Sequence, residues 1–203
     1  EGLNLAFRAI DGSAEAANRP MTFLFTTAQR LGVDFISVAD GFKRMDAAAK
    51  GTSLEGDGVR KVFEQIIAGA TRLGVSSQQT SQALVAIEQI MTKGKLSAEE
   101  YRRQLGNAIP GALERMAEGF GRSTQVLERF IAAGLIPANA AIVAFGDGMA
   151  RLGGSDTQEP VNRLSATFNR LANETKAWMA AIGDGLGNII KPWLDTLIKI
   201  SEK

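Results

Sequence analysis

Glu99, Glu100, Arg102 and Arg103 form the most site-like cluster of side chains in this sequence. Paired carboxylates can do general acid–base work, and a glycosidase needs two of them flanking one cleft. Glu114, Glu118 and Glu128 follow closely enough to supply a second. A helix starting at Ser97 explains the same residues without a substrate. The acidic pair would lie in its first turn, where the helix dipole favours negative charge. Glu99 would pair with Arg102 at i,i+3 and with Arg103 at i,i+4, each pair contributing about 0.2–0.5 kcal/mol. Glu114, Glu118 and Glu128 have the same helix-surface explanation. The expectation is therefore solvated helix charges, no catalytic residue and no enzyme.

The rest of the composition narrows the chemistry further. The chain has 203 residues, with no histidine and no cysteine. Their absence removes Cys- and His-ligated metals, Cys nucleophiles, Ser-His-Asp triads and disulfides. The glycines do not make a phosphate loop, because neither G-x-x-x-x-G-K-[ST] nor G-x-G-x-x-G occurs. Gly51-Thr-Ser-Leu-Glu-Gly56-Asp-Gly58 lacks the alternating acidic ligands of a calcium loop and reads as a turn. No metal and no cofactor is expected. With 23 basic against 22 acidic residues, a net charge of +1, no specific nucleic-acid partner is expected either.

These charges must be positioned by helices. Apolar residues recur at helical spacing almost throughout, and no stretch alternates as a strand would. Phe35, Val38, Phe42 and Met45 form one face, and Val59, Phe63, Ile66, Ala70 and Leu73 the next. Leu84, Ile87 and Met91 follow, then Tyr101, Leu105, Ile109, Leu113 and Met116. Two more are Val126, Leu127, Phe130 and Ile131, and Ile142, Val143, Phe145 and Met149. Ser76-Ser-Gln-Gln79 and Ser97-Ala-Glu-Glu100 read as capping boxes. Gly32, Gly51, Gly74, Gly94, Gly106, Gly121 and Gly134 fall where helices would stop in left-handed caps. Ala28-Gln-Arg-Leu-Gly-Val33 recurs as Ala70-Thr-Arg-Leu-Gly-Val75, and Lys50-Gly51 as Lys93-Gly94, which suggests two related helical hairpins.

The reading is an all-α protein in three parts. Residues 1–20 are a weakly structured lead-in ending in Asn18-Arg19-Pro20, and residues 21–152 a domain of short helices. Residues 153–203 are one long, coiled-coil-like helix or a helix pair. From Val161 to Ile200 small or apolar residues recur at a mean spacing of about 3.5, that of a coiled-coil seam. Gly183, Gly185, Gly187 and Pro192 must weaken or kink it. Leu164, Phe168, Leu171, Trp178, Ile182, Leu186, Ile189 and Trp193 are the expected self-association or partner face. The same Trp-rich stretch, with Lys176, Lys191 and Lys199 beside it, would also suit a membrane surface, although the sustained spacing favours packing. No apolar run is long enough for a transmembrane helix. The chain begins Glu1-Gly2 with no initiator methionine and no signal peptide, so it reads as a piece of something longer.

The order of the motifs adds an identity that periodicity alone does not. Ala47-Ala-Ala-Lys-Gly-Thr52, Leu73-Gly-Val-Ser76, Ile90-Met-Thr-Lys-Gly-Lys-Leu-Ser97 and Ala98-Glu-Glu-Tyr-Arg-Arg-Gln-Leu-Gly106 stand in sequence. Ile109-Pro-Gly-Ala112 and Gly121-Arg-Ser-Thr124 complete the run. Residues 20–152 resemble the tape measure domain of tailed-phage tail proteins, most specifically from Lys93 to Gly134. Tyr101, where that family usually has Leu, and Leu135-Ile-Pro-Ala-Asn-Ala140 depart from the pattern.

The resemblance implies a virion structural protein whose length sets that of the tail tube and which takes part in tail assembly and DNA delivery. It implies a place inside the tail tube or at the tail tip, and in the host cytoplasm during assembly. The implied partners are copies of itself, as a trimer, tail tube and tail-tip or baseplate hub proteins, tail assembly chaperones, and a membrane during ejection. The family offers no active-site residues to carry over.

Overall fold

The computed structural model describes residues 14–152 and 169–174, with side chains from Pro20 onward. Four long helices come first: α1 (Ala14–Leu31), α2 (Phe35–Ala49), α3 (Asp57–Leu73) and α4 (Ser77–Lys93). A π-helical segment, Glu100–Leu105, runs into a single α turn, Gly106–Ala108. Then come α5 (Ala112–Phe120), α6 (Thr124–Ala132) and α7 (Ala138–Ala150). The described residues are helical with one isolated antiparallel bridge, Lys95 to Pro137, so the all-α expectation holds. The expected long C-terminal helix lies outside the described residues except for 169–174, which are helical.

Local chemistry sets most helix ends. The Asp34 side chain accepts from the Ser37 N–H at 2.9 Å and caps α2. Ser76 and Gln79 form the expected reciprocal capping box at the start of α4. α3 and α4 stop at Gly74 and Gly94 in the left-handed region. Two expectations fail. Gly106 has φ −66° and continues the helical path of the π segment, because the next break is made by Ile109-Pro110-Gly111. The expected break at Pro20 does not occur, since α1 begins at Ala14 and carries Pro20 in its second turn, while residues 1–13 of the expected lead-in lie outside the described residues. The ring removes one backbone bond, and Pro20 is buried on the same side as Leu24, Ala28 and Leu31, which offsets part of that loss.

The repeated motif corresponds to repeated geometry. The Val33 N–H reaches the Ala28 carbonyl at 3.1 Å, and the Val75 N–H reaches the Ala70 carbonyl at 3.0 Å. Both are the long bond of a Schellman cap around a left-handed glycine, Gly32 and Gly74. The α1–α2 and α3–α4 corners therefore carry the same cap at equivalent residues. Phe23, Phe42 and Phe63 tie the first three helices together, with the Phe42 and Phe63 rings edge to face at 5.0 Å.

Helix α7 closes this core, packing on α5, on α3 and less extensively on α4. Its crossing with α5 is a contact of backbone on backbone. A Cβ at Gly119 would fall 1.7 Å from the Ala144 carbonyl oxygen, and one at Gly148 would fall 1.7 Å from that of Arg115. The Arg151 guanidinium donates to the Glu118 carbonyl at 2.6 Å and supplies a partner at the end of α5. Phe145 and Met149, on the same helix, are fully buried. Because neither helix can yield at a backbone carbonyl, Gly119→Ala and Gly148→Ala should each cost about 3 kcal/mol in urea unfolding. Gly94→Ala, which meets no atom and suffers only from its positive φ, should cost about 1 kcal/mol. Equal losses in all three would contradict the close crossing.

Candidate functional site

The charge cluster around residue 100 is not the exposed helix start that spacing suggests. Glu100 is 0% exposed, whereas Glu99, Arg102 and Arg103 are on the surface. The wide turn of the π segment buries Glu100, Tyr101 and Leu105 together. Ser97 does not cap a helix backbone: its hydroxyl donates to one Glu100 carboxylate oxygen, and the Lys93 ammonium binds the other. Burial raises the Glu100 pKa, but the bonds from Lys93, Ser97 and its own N–H outweigh that and hold it below the usual value. The Glu100 hydrogen bond and charge raise the Lys93 pKa in turn, against desolvation. Lys93 is half exposed, so the pair is an ion bridge from the end of α4 to the π segment, with one end in water.

A second network joins the π segment to α6. The Tyr101 hydroxyl donates to Glu128 Oε1 at 3.0 Å and accepts from Arg102 Nε at 2.6 Å. Arg102 also donates to Glu128 Oε1 at 2.8 Å, and its guanidinium lies 5.5 Å from the centre of the Tyr101 ring. Hydrogen bonds from Arg102 and then Tyr101 lower the Glu128 pKa. Burial chiefly raises that of Tyr101. The family departure at Tyr101 thus has a local use, since a Leu could not reach Glu128.

Glu100, Glu118 and Glu128 are each engaged by separate partners. Glu128 lines an open groove with Arg102, Gln125, Arg129 and Ala132. Glu118 pairs with Arg115 within its own helix at 2.8 Å. Glu100 is closed off beneath Lys93. Among the described residues no group of three His, Cys, Asp or Glu side chains could hold a metal ion. None of the described helices is long and apolar enough to cross a membrane.

The connection after α6, where the sequence leaves the family pattern, is anchored rather than loose. Ile136 is buried, its carbonyl accepts from the Leu96 N–H at 2.9 Å, and the Ala138 N–H reaches the Gly94 carbonyl at 3.0 Å. Pro137 then opens α7 in an extended conformation.

Of the expected self-association face, Leu171 is described and is 53% exposed. Leu164, Phe168, Trp178, Ile182, Leu186, Ile189 and Trp193 lie outside the described residues. Sequence reading missed the polar flank beside Leu171. Asn169, Arg170 and Asn173 dock on the α1–α2 corner, and Asn173 is buried there. A pair of asparagines four residues apart beside an apolar stripe was the available signal.

With the fold in place, the comparison with known proteins is decisive. The sequence model of one family, described as "Tape measure protein", matches residues 1–184. The chain belongs to the tape measure protein family. It is similar to a probable tape measure protein of Salmonella phage Felix O1 (isolate Felix O1-VT1), with 26% identity over 152 residues. The match covers 75% of this chain and 20% of that protein, so the chain spans about a fifth of its curated relative. No solved structure matches it significantly. The described residues are thus an instance of how a tape measure protein segment folds back into a domain.

The Glu100 bridge carries a pH signature. The folded-state pKa of Glu100 lies below the ordinary 4.5, so its contribution is complete above that value and is lost as pH falls through the folded pKa. Glu100→Ala should lower the midpoint of thermal unfolding at pH 7 by about 3–8 °C. The gap between wild type and variant should narrow below about pH 4 as the wild-type carboxyl protonates. A gap that stays constant from pH 7 to pH 3 would contradict an ionised Glu100.

Proposed function

We propose that this chain is a structural module of a bacteriophage or phage-derived tail, a folded part of a longer tape measure protein, rather than an enzyme. The observation that carries this reading is the family match over residues 1–184. The parent protein would set tail tube length and take part in tail assembly and DNA delivery, inside the tube or at its tip. Its partners would be further copies of itself, tail tube and hub proteins, assembly chaperones and, at ejection, a membrane.

On this reading the labour is divided. A straight helix rises about 1.5 Å per residue, so residues 14–152 drawn out would reach about 200 Å. They instead turn back at each glycine corner and bury a common core. Length is therefore measured elsewhere in the parent chain, and this domain is a fixed-size module attached to the ruler. The apolar stripe after Val161 is where such a rod would begin, with Leu171 facing away from the domain.

In-frame deletions in the helical remainder of the parent gene should shorten the tail by about 1.5 Å for each residue removed, as measured by electron microscopy. Tails of unchanged length after such deletions would overturn the reading.

A further inference from the structure

Residues 169–174 meet the domain through backbone recognition. Asn173, 1% exposed, is a two-point clamp: its Nδ2 donates to the Val33 carbonyl at 2.9 Å, and its Oδ1 accepts from the Phe35 N–H at 3.1 Å. Asn169 Nδ2 donates to the Gly32 carbonyl at 2.9 Å. Arg170 donates through Nε to the Gln29 carbonyl at 2.8 Å and through Nη2 to that of Arg30 at 3.1 Å. A side-chain bond from Gln29 to Glu174 at 3.2 Å completes the contact.

We propose that residues 169–174 are a releasable latch, a polar segment that docks on the α1–α2 corner and leaves it without unfolding the domain. The bonds fall largely on carbonyls at the end of α1, groups that have no partner within their own helix and that water can serve when the segment departs. The segment's own apolar side chains contribute little to the contact, because Leu171 already faces solvent and Ala172 is half-buried. Each hydrogen bond exchanges a protein partner for water at a modest net gain, and that gain is opposed by the entropy of ordering the segment.

The protein contains its own control for this idea. The α3–α4 corner has the same long Schellman bond as the α1–α2 corner, yet Gly74, Ser76 and Ser77 there are exposed. Among the described residues, a corner of this kind therefore stands with no segment docked on it. The Asp34 cap of α2 is made with Ser37. What the latch controls is the path of the chain beyond residue 174. Engaged, it fixes Leu171 outward at a set place on the domain. Released, it frees that stripe from the corner.

Hydrogen exchange of the full 203-residue chain, read by mass spectrometry, tests this directly. Amides of 169–174 should exchange about 100-fold faster than those of α7, the level expected of local opening against global unfolding. In the triple variant Asn169→Ala, Arg170→Ala, Asn173→Ala, protection at 169–174 should fall about tenfold further, while α7 is unchanged. Asn173→Asp, which keeps the acceptor for Phe35 but turns a carboxylate oxygen toward the Val33 carbonyl, should do the same. Protection at 169–174 equal to that of α7, or loss of protection in α7 in either variant, would show an integral part of the core and overturn the proposal.

Discussion

Two helices that touch at their backbones set the terms for the rest of this domain. Gly119 of α5 and Gly148 of α7 each lie where a single Cβ would collide with a carbonyl of the opposite helix. The crossing therefore tolerates no side chain at either point and leaves little freedom in position. That fixes α7, and α7 presents Phe145 and Met149 to the centre of the core. Gln65 reaches across from α3 to Asp147 at 3.1 Å, and Arg151 returns to the end of α5. The long helices at the N-terminal end and the short helices at the other end meet on this element as well as across the α4–π segment contact.

Charge is used at the seams between these parts. Burying a carboxylate is costly unless it is paired and hydrogen-bonded. Glu100 meets that condition with Lys93 and Ser97, in a turn widened to the π form. One residue further on, Tyr101 and Arg102 bind Glu128 and hold α6 against the same segment. π turns are often found at functional sites. Here the turn has a structural use: it places Glu100 where it ties the end of α4 to the π segment, while Tyr101 and Arg102 tie that segment to α6.

What could be read from the sequence follows the range of the interactions. Faces such as Val59, Phe63, Ile66, Ala70 and Leu73 are local periodicities, and the first four are buried as expected while Leu73, at the end of its helix, is exposed. The Ser76–Gln79 box and the stops at Gly74 and Gly94 are equally local. The order of motifs from Lys93 to Gly134 carried the family. Glu100 was misread as a surface charge because an α period was assumed where the chain inserts a wider turn. Gly106 was misread for the same reason. The docking of Asn169 and Asn173 depends on backbone groups far away in sequence, and no spacing rule announces such partners. Gly119 and Gly148 look like ordinary helix glycines until the opposing carbonyls are in place.

The described domain buries its own core, and Leu171, the one described residue of the expected association face, is exposed; on the proposed reading, folding and association reside in different stretches of the chain. Sedimentation equilibrium of residues 1–152 against the whole 21.6 kDa chain separates the two. The shorter chain should be helical, melt cooperatively and sediment as a monomer, while the whole chain sediments at a multiple of its own mass. A shorter chain that fails to fold, or that associates as strongly as the whole, would contradict the account.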